Sequence, residues 1–341
     1  MARCRVDSTI ERKTVGEFDF PLGVYPVEEM TPREGYTLQF ESADGDDVGD
    51  SEGTWEEWPD RYVFDIVIRH GRLESLVRAL LAMFPGRIFP ILDVLGNDAY
   101  REIDPYVAYE LVGQERFTEC LRRYRGWFFE DGLVGFGCMA EEPFLYLFVD
   151  EHKIITVRAE THMKERVEKV LQAFDLKEVE QIAGADAALH EHRSVLETPD
   201  ERPDLLTADE IIEELQDQWG LELNVDGDKN VDESGTDLGI TPWRVMIRMV
   251  GSKAEVKYAE AVLSAPTLNE ARSMAVEAVE ELALPEHAEE MLDDDQQVDF
   301  DIITADRLEN DDVAHALPKG IKLPPAKDLV TQEVWSCRWL E

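Results

Sequence analysis

Residues 61–95, RYVFDIVIRHGRLESLVRALLAMFPGRIFPILDVL, decide the fold class. Tyr62–Ile68 is a nearly continuous apolar run with β-branched residues, the pattern of a strand covered on both faces. After Gly71, the residues Leu73, Leu76, Val77, Leu80, Leu81 and Phe84 recur at helical spacing. Pro85-Gly86 stops that helix, and Arg87–Leu95 returns as a second strand.

A similar unit follows. Tyr106–Val112 reads as a strand with Gly113 as its turn, and the next helix places Phe117, Cys120, Leu121, Tyr124 and Phe128 on one side. Leu133–Cys138 is then a strand. The order β-α-β-β-α-β over 61–138 is that of a ferredoxin-like split βαβ sandwich, and an open α/β sheet of another strand order fits the same string. A hairpin is expected next, with strands Phe144–Val149 and Ile154–Val157 around the turn Asp150-Glu151-His152-Lys153. The helix after it carries Met163, Val167, Val170, Leu171 and Phe174 inward.

Residues 193–206, RSVLETPDERPDLL, hold two prolines and dense charge and read as a linker. Thr207-Ala-Asp-Glu210 is a capping box that opens a helix with Ile211, Ile212, Leu215 and Trp219 on its apolar face. Strands are expected at Leu221–Val225, Trp243–Val250 and Glu255–Leu263, then a second capping box at Thr267–Glu270 and its helix, then Val298–Ile303 as a further strand. The fold class is α+β throughout. The expected organisation is an irregular acidic segment (1–60), an α/β domain (61–192), the linker (193–206), a small α-β-β-β-α domain (207–303) and an irregular tail (304–341) anchored by Trp335 and Trp339.

Composition narrows the function classes. There are 75 Asp+Glu against 34 Lys+Arg, a formal charge of −41, on a chain that is 44% hydrophobic and so able to form a core. A surface this negative repels phosphate backbones and anionic membranes and attracts cations and basic proteins. An α-β-β-β-α order also occurs in double-stranded-RNA-binding domains, but the final helix begins TLNEARS, without the cation cluster such modules need. Cys4, Cys120, Cys138 and Cys337 form no CxxC pair, the amino terminus lacks an apolar signal region, and no apolar run reaches membrane length. The expected setting is a reducing cytoplasm.

Several segments invite chemistry. Arg69-His70-Gly71-Arg72 sits where a strand gives way to a helix, a junction that favours anions, although no phosphate-cradling glycine motif accompanies it. The loop 226–237 puts oxygens of Asp226, Asp228, Asn230, Asp232 and Asp237 at spacings that wrap a hard cation, Ca2+ being the candidate. Val231 stands where a calcium loop needs glycine, and the flanks read as strands, so an acidic connection is the simpler account. His190-Glu191-His192 would suit zinc only in an extended segment; the preceding ADAALHEH reads as helical, which makes this a solvated helix end. Asp293-Asp294-Asp295 and Asp311-Asp312 read as solvated charge runs, and no nucleophile motif is present.

The leading expectation is a non-enzymatic acidic module that binds a basic protein surface, as an inhibitor, an immunity protein or a nucleic-acid mimic does. One alternative is a salt-adapted cytoplasmic protein whose charge serves solubility. The other is a metal-dependent or anion-binding enzyme with its site at the 69–72 junction near Asp93.

Overall fold

The computed structural model describes residues 4–43, 58–197, 205–250, 256–282, 299–319 and 331–340. The Asp293–Asp295 run, most of the acidic stretch 41–60 and the centre of the 193–206 linker lie outside them. The protein is mixed α and β with several antiparallel sheets. Among the described residues no helix is long and apolar enough to cross a membrane.

The chain forms two compact units, residues 1–94 with 105–224 and residues 95–104 with 225–341. In chain order, the elements from the amino terminus to the end of the first domain-length stretch are β1 (Thr14–Val15), β2 (Phe18–Asp19), β3 (Val24–Pro26), β4 (Gly35–Glu41), β5 (Arg61–Val67), α1 (His70–Leu81) and β6 (Arg87–Leu95). Then come β7 (Ile103–Ala108), β8 (Val112–Gly113), α2 (Gln114–Arg123), α3 (Arg125–Glu130), β9 (Val134–Ala140), β10 (Leu145–Val149), β11 (Ile155–Glu160), α4 (Lys164–Ala173) and β12 (His190–His192). The helix α5 (Ala208–Trp219) and strand β13 (Leu221–Leu223) complete the first unit. The sequence reading places these last two beyond the linker; they fall in the first unit because Ile211, Leu215 and Trp219 are buried in its core, with Trp219 against Phe117 and Phe128.

The main sheet of this unit runs β13-β7-β6-β9-β10-β11-β5-β4, with β8 paired to β6. That order corrects the split βαβ expectation. A split βαβ unit keeps one strand between its two parallel strands, whereas β9, β10 and β11 all lie between β5 and β6. The cause is local: tight turns make β9, β10 and β11 a meander, each pairing antiparallel with the next, so they enter the sheet together. The irregular 1–60 segment is corrected too, because Gly35–Glu41 is a full edge strand in register with Arg61–Val67.

Period-two burial sorts the faces. Leu145, Leu147 and Val149 on β10 and Ile155, Val157 and Ala159 on β11 are buried with α1's Leu73, Leu76, Val77, Leu80 and Leu81 in one large core. Burying each such side chain contributes about 1.5–3 kcal/mol against exposure. A smaller cluster packs on Val67, formed by Phe18, Phe20, Val24 and Ala185 with Ile154 partly buried beside it. This thin layer, made of short strands and loops from both ends of the unit, carries the site described below.

The second unit contains β14 (Thr241–Val250), β15 (Val256–Ala265), α6 (Leu268–Glu280), β16 (Asp299–Arg307), α7 (Val313–Ala316) and β17 (Glu333–Trp339), with sheet order β16-β14-β15-β17. The 304–341 tail is thus not irregular over its described length: Glu333–Trp339 is an edge strand on β15. The expected α-β-β-β-α elements form in that order as α5, β13, β14, β15 and α6, but α5 and β13 belong to the first unit, so the second unit itself runs β-β-α-β-α-β. Both predicted caps form at Thr207 and Thr267; the first is a complete capping box, while at the second only the Thr267 hydroxyl accepts from the Glu270 amide. Gly220 ends α5 at φ +62°, a left-handed cap that favours glycine.

Candidate metal centre

Residues 188–193 are extended, not helical. A single 3-10 turn spans Ala185–Ala187, and β12 then pairs antiparallel with β3, His190 opposite Pro26, Glu191 opposite Tyr25 and His192 opposite Val24. The solvated helix end is therefore corrected: pairing with a strand from the amino-terminal region overrides the alanine-rich local preference. In an extended chain positions i and i+2 share a face, so both imidazoles point one way while Glu191 turns out to pair with Arg193.

The backbone is held there by a glycine contact. Gly23 and Gly132 approach so closely that a Cβ on either would lie 2.1 Å from a backbone atom of the other. The crossing is tied by Gly23 N–H to Glu130 O (2.7 Å), Arg193 N–H to Gly23 O (2.8 Å) and Gly132 N–H to Arg193 O (3.1 Å). Only glycine fits both sides of such a crossing. Its consequence is that Gly132 O lies where the His192 ring can reach it.

The third imidazole comes from the β10–β11 turn. His152 Nε2 lies 2.9 Å from His190 Nε2, which lies 3.1 Å from His192 Nε2. The ring centroids are 4.7, 4.7 and 4.9 Å apart and the ring planes are inclined by 70°, 75° and 77°, a propeller with near threefold symmetry. A tetrahedral ion bound at 2.0–2.1 Å by three imidazoles sets their nitrogens about 3.3 Å apart and their centroids about 5 Å apart. The observed set lies within a few tenths of an ångström of that.

The other ring nitrogens fix the tautomers. His190 Nδ1 is 2.8 Å from Ala188 O and His192 Nδ1 is 2.7 Å from Gly132 O. A carbonyl oxygen only accepts, so both Nδ1 atoms carry hydrogen and both Nε2 atoms present lone pairs inward. His152 Nδ1 faces Glu151 Oε1 at 3.2 Å and Asp150 Oδ2 at 3.6 Å. Burial works against charge on His152, yet these two carboxylates raise its pKa to about 10. Burial likewise pushes Glu151 up, but His152 overcomes it and holds that carboxyl at about 2. His192 is lowered by burial and by the neighbouring imidazoles. A proton on His152 Nε2 would satisfy its contact with His190 and leave His190 and His192 lone pair to lone pair. A cation at the centre satisfies all three.

The sequence-derived candidates are placed differently. Around α1's amino end, Arg69 binds Glu34 (Nη2 to Oε2, 2.8 Å), the Gly71 N–H donates to Asp19 Oδ2 (2.9 Å), and His70 Nε2 donates to Glu130 Oε1 (2.9 Å). Arg72 reaches Asp175 at 3.7 Å and lies over the Phe174 ring. The junction's cations thus face the chain's own carboxylates. Asp93 lies on β6, its pKa raised to about 6 by burial and by Glu151.

In the 226–237 loop the oxygens turn on their own chain. Asp226 pairs with Lys229 (2.7 Å), Asp228 accepts from Asn269, and Asp237 accepts from the Gly239 amide. Asp232 Oδ1 accepts from Ser234 and from the Thr236 amide. Buried Asn230 donates to Gly239 O and accepts from Arg307. Among the described residues, the groups close enough to share one metal ion are His152 with His190 and His192, and His152 with Asp150 and Glu151. Sequence reasoning missed His152 altogether. Its signal was a histidine in a hairpin turn, which spacing alone does not link to a distant HxH. No protein-family model, curated protein or solved structure matches this chain.

Proposed function

We propose that the protein is a metalloprotein whose His152–His190–His192 centre holds one divalent transition-metal ion of the zinc class. The observation that supports this reading is the convergence of three Nε2 atoms while every Nδ1 is committed to an oxygen outside the cluster. Imidazole suits zinc, copper, iron and nickel, and a second layer of carbonyl and carboxylate acceptors is what orients imidazole ligands at such centres. The ion would join the β10–β11 turn to the β3–β12 ribbon, and so tie the thin outer layer to the main sheet. The net charge of −41 assists by raising the local concentration of cations.

The test is elemental analysis and calorimetry on the full chain. One zinc per chain is expected, lost together with the calorimetric signal in His190→Ala and His152→Ala. Binding that survives both substitutions would sink the proposal. The charge also favours a second reading, a basic protein as partner; affinity for a cationic protein that does not fall with salt would remove it.

A further inference from the structure

We propose that the cleft between the carboxyl-terminal end of α1 and the helix α2 binds a small phosphate-bearing anion, free or esterified, held by Arg78 and Arg122. The cleft lies within the first unit and is independent of the metal reading above.

Helical spacing builds its walls. Gln114, Thr118 and Arg122 follow one another at four-residue steps along α2, and Arg78, Leu81 and Ala82 stand at i, i+3 and i+4 at the end of α1. Gln114 fixes the two stripes against each other: its backbone N–H donates to Gly86 O at 2.9 Å, and its side-chain Nε2 donates to Leu81 O. These six residues line an open cleft of about 490 Å3, room for a small ligand.

The lining holds two guanidiniums and no carboxylate, on a chain where acids outnumber bases 75 to 34. The acids of α2, Glu115 and Glu119, each fall one position past the stripe and so turn aside by about 100°. Arg122 is exposed and has no hydrogen bond or ion pair among the described residues. Arg78 Nη2 pairs with Glu74 Oε1 at 2.8 Å, but Glu74 also takes Arg125, so one carboxylate answers two guanidiniums. Positive charge is left over on both walls. The two helix ends that meet here have opposed dipoles, so the guanidiniums set the sign. At the Arg69–Arg72 junction, by contrast, the cations already face carboxylates.

Donor geometry selects the class of anion. One guanidinium fork satisfies a planar carboxylate, whereas a tetrahedral phosphoryl group offers oxygens to donors on both walls. Gln114 Nε2 keeps a second hydrogen for it. Thr118 adds no donor, because its hydroxyl already donates to Gln114 O at 2.8 Å. Leu81 and Ala82 give the body of an ester an apolar wall. The net charge of −41 repels a long polyanion, which restricts the ligand to one carrying few phosphoryl groups.

The experiment is calorimetry on the full chain at low ionic strength, with phenyl phosphate, inorganic phosphate and acetate as probes, each with and without EDTA. Phenyl phosphate is expected to bind one-to-one, acetate to give no signal, and EDTA to change neither result. Tighter binding of phenyl phosphate than of inorganic phosphate assigns the site to an ester; equal binding assigns it to free phosphate. Arg122→Gln and Arg78→Gln should each weaken the phosphate probes at least about tenfold, the worth of one hydrogen bond to a charged group. Both positions are exposed, and unchanged melting temperatures certify that the variants fold. Arg116→Gln, on the same helix but outside the cleft with its Nη1 on Gln218 O, should change the affinity by less than about twofold. Equal losses in the Arg116 and Arg122 variants would overturn the site, since they mean diffuse attraction to surface arginines. Binding abolished by EDTA would overturn it by placing the anion on a metal ion. Acetate binding as tightly as phosphate, or no binding of any probe, would overturn it as well.

Discussion

Zinc is expected to stabilise the first unit, and His192→Ala is expected to abolish that stabilisation while costing little in the metal-free chain. Without metal, His192 makes one neutral hydrogen bond, Nδ1 to Gly132 O at 2.7 Å. Such a bond contributes about 0.5–1.5 kcal/mol. Its Nε2 meanwhile faces the His190 Nε2 at 3.1 Å, so truncation also removes an unfavourable contact. For a unit of this size each kcal/mol moves the melting temperature by about 2–4 °C, which puts the apo variant within about 5 °C of the parent. Zinc at a hundredfold excess over its dissociation constant adds about 2.7 kcal/mol, and so about 5–10 °C, to the parent. The variant keeps two ligands and should move by less than about 2 °C at the same zinc concentration. The assay is thermal melting by circular dichroism with and without zinc. Magnesium serves as the control, because a −41 chain attracts any divalent cation. Equal zinc shifts in parent and variant, or a magnesium shift as large as that of zinc, would refute the reasoning, since either means diffuse attraction to the acidic surface.

Gly132→Ala places a Cβ about on top of Gly23 O, at 2.1 Å, so the ribbon must shift and carry the Gly132 acceptor away from His192. It should cost 1–3 kcal/mol, roughly the penalty of overpacking, and weaken zinc affinity about 10–100-fold, as loss of an outer-layer partner does; an unchanged affinity by calorimetry counts against the crossing's role. Glu130 is pushed up by burial, yet His70 and Arg12 hold it at about 2, below its ordinary 4.5. Its contribution is therefore present above about pH 4.5 and lost as pH falls toward 2, worth about 3 kcal/mol at full effect. Urea midpoints measured from pH 6 to pH 3 should fall less steeply in Glu130→Gln, and identical slopes would contradict this. In the second unit, Arg307 and Asp98 form a buried pair, Nη2 to Oδ1 at 2.8 Å, with Arg307 also donating to Val231 O. Arg307→Met should cost about 3–5 kcal/mol by stranding Asp98, eased in part by Arg101 3.7 Å away, and Asp98→Leu added to it should recover much of the loss; denaturant unfolding decides.

The fold was legible where periodicity is strong and local. Tyr62–Ile68 and Arg87–Leu95 are strands within one residue of the pattern, and the five inward α1 residues named by spacing are all buried. Boundaries slipped where two short helices, α2 and α3, read as one, because Phe117, Cys120, Tyr124 and Phe128 keep helical spacing across the break at Tyr124. Strand order was not legible. Nothing local tells that β5's neighbours are β4 and β11: Tyr36, Leu38 and Phe40 alternate through GYTLQFE as in a strand, but its partner is set only by pairing with the distant Arg61–Val67. For the same reason the carboxyl-terminal strand β17 reads as tail until β15 gives it a partner.

The candidate site fails to appear in the sequence for a deeper reason. Motif reading finds ligands that one local element brings together, such as two histidines on one helical turn. Here the local element supplies only His190 and His192, and even that pair requires the segment to be extended, which the pairing with Val24–Pro26 imposes from elsewhere in the chain. His152 arrives on a hairpin turn from a different part of the sheet. The acidity that dominates the composition gives no guidance either, because the carboxylates at this centre touch His152 Nδ1 instead of pointing inward at the space between the Nε2 atoms. An acidic cluster would hold a hard cation with oxygen and compensate its charge directly. Three imidazoles select a softer ion and leave its charge in place.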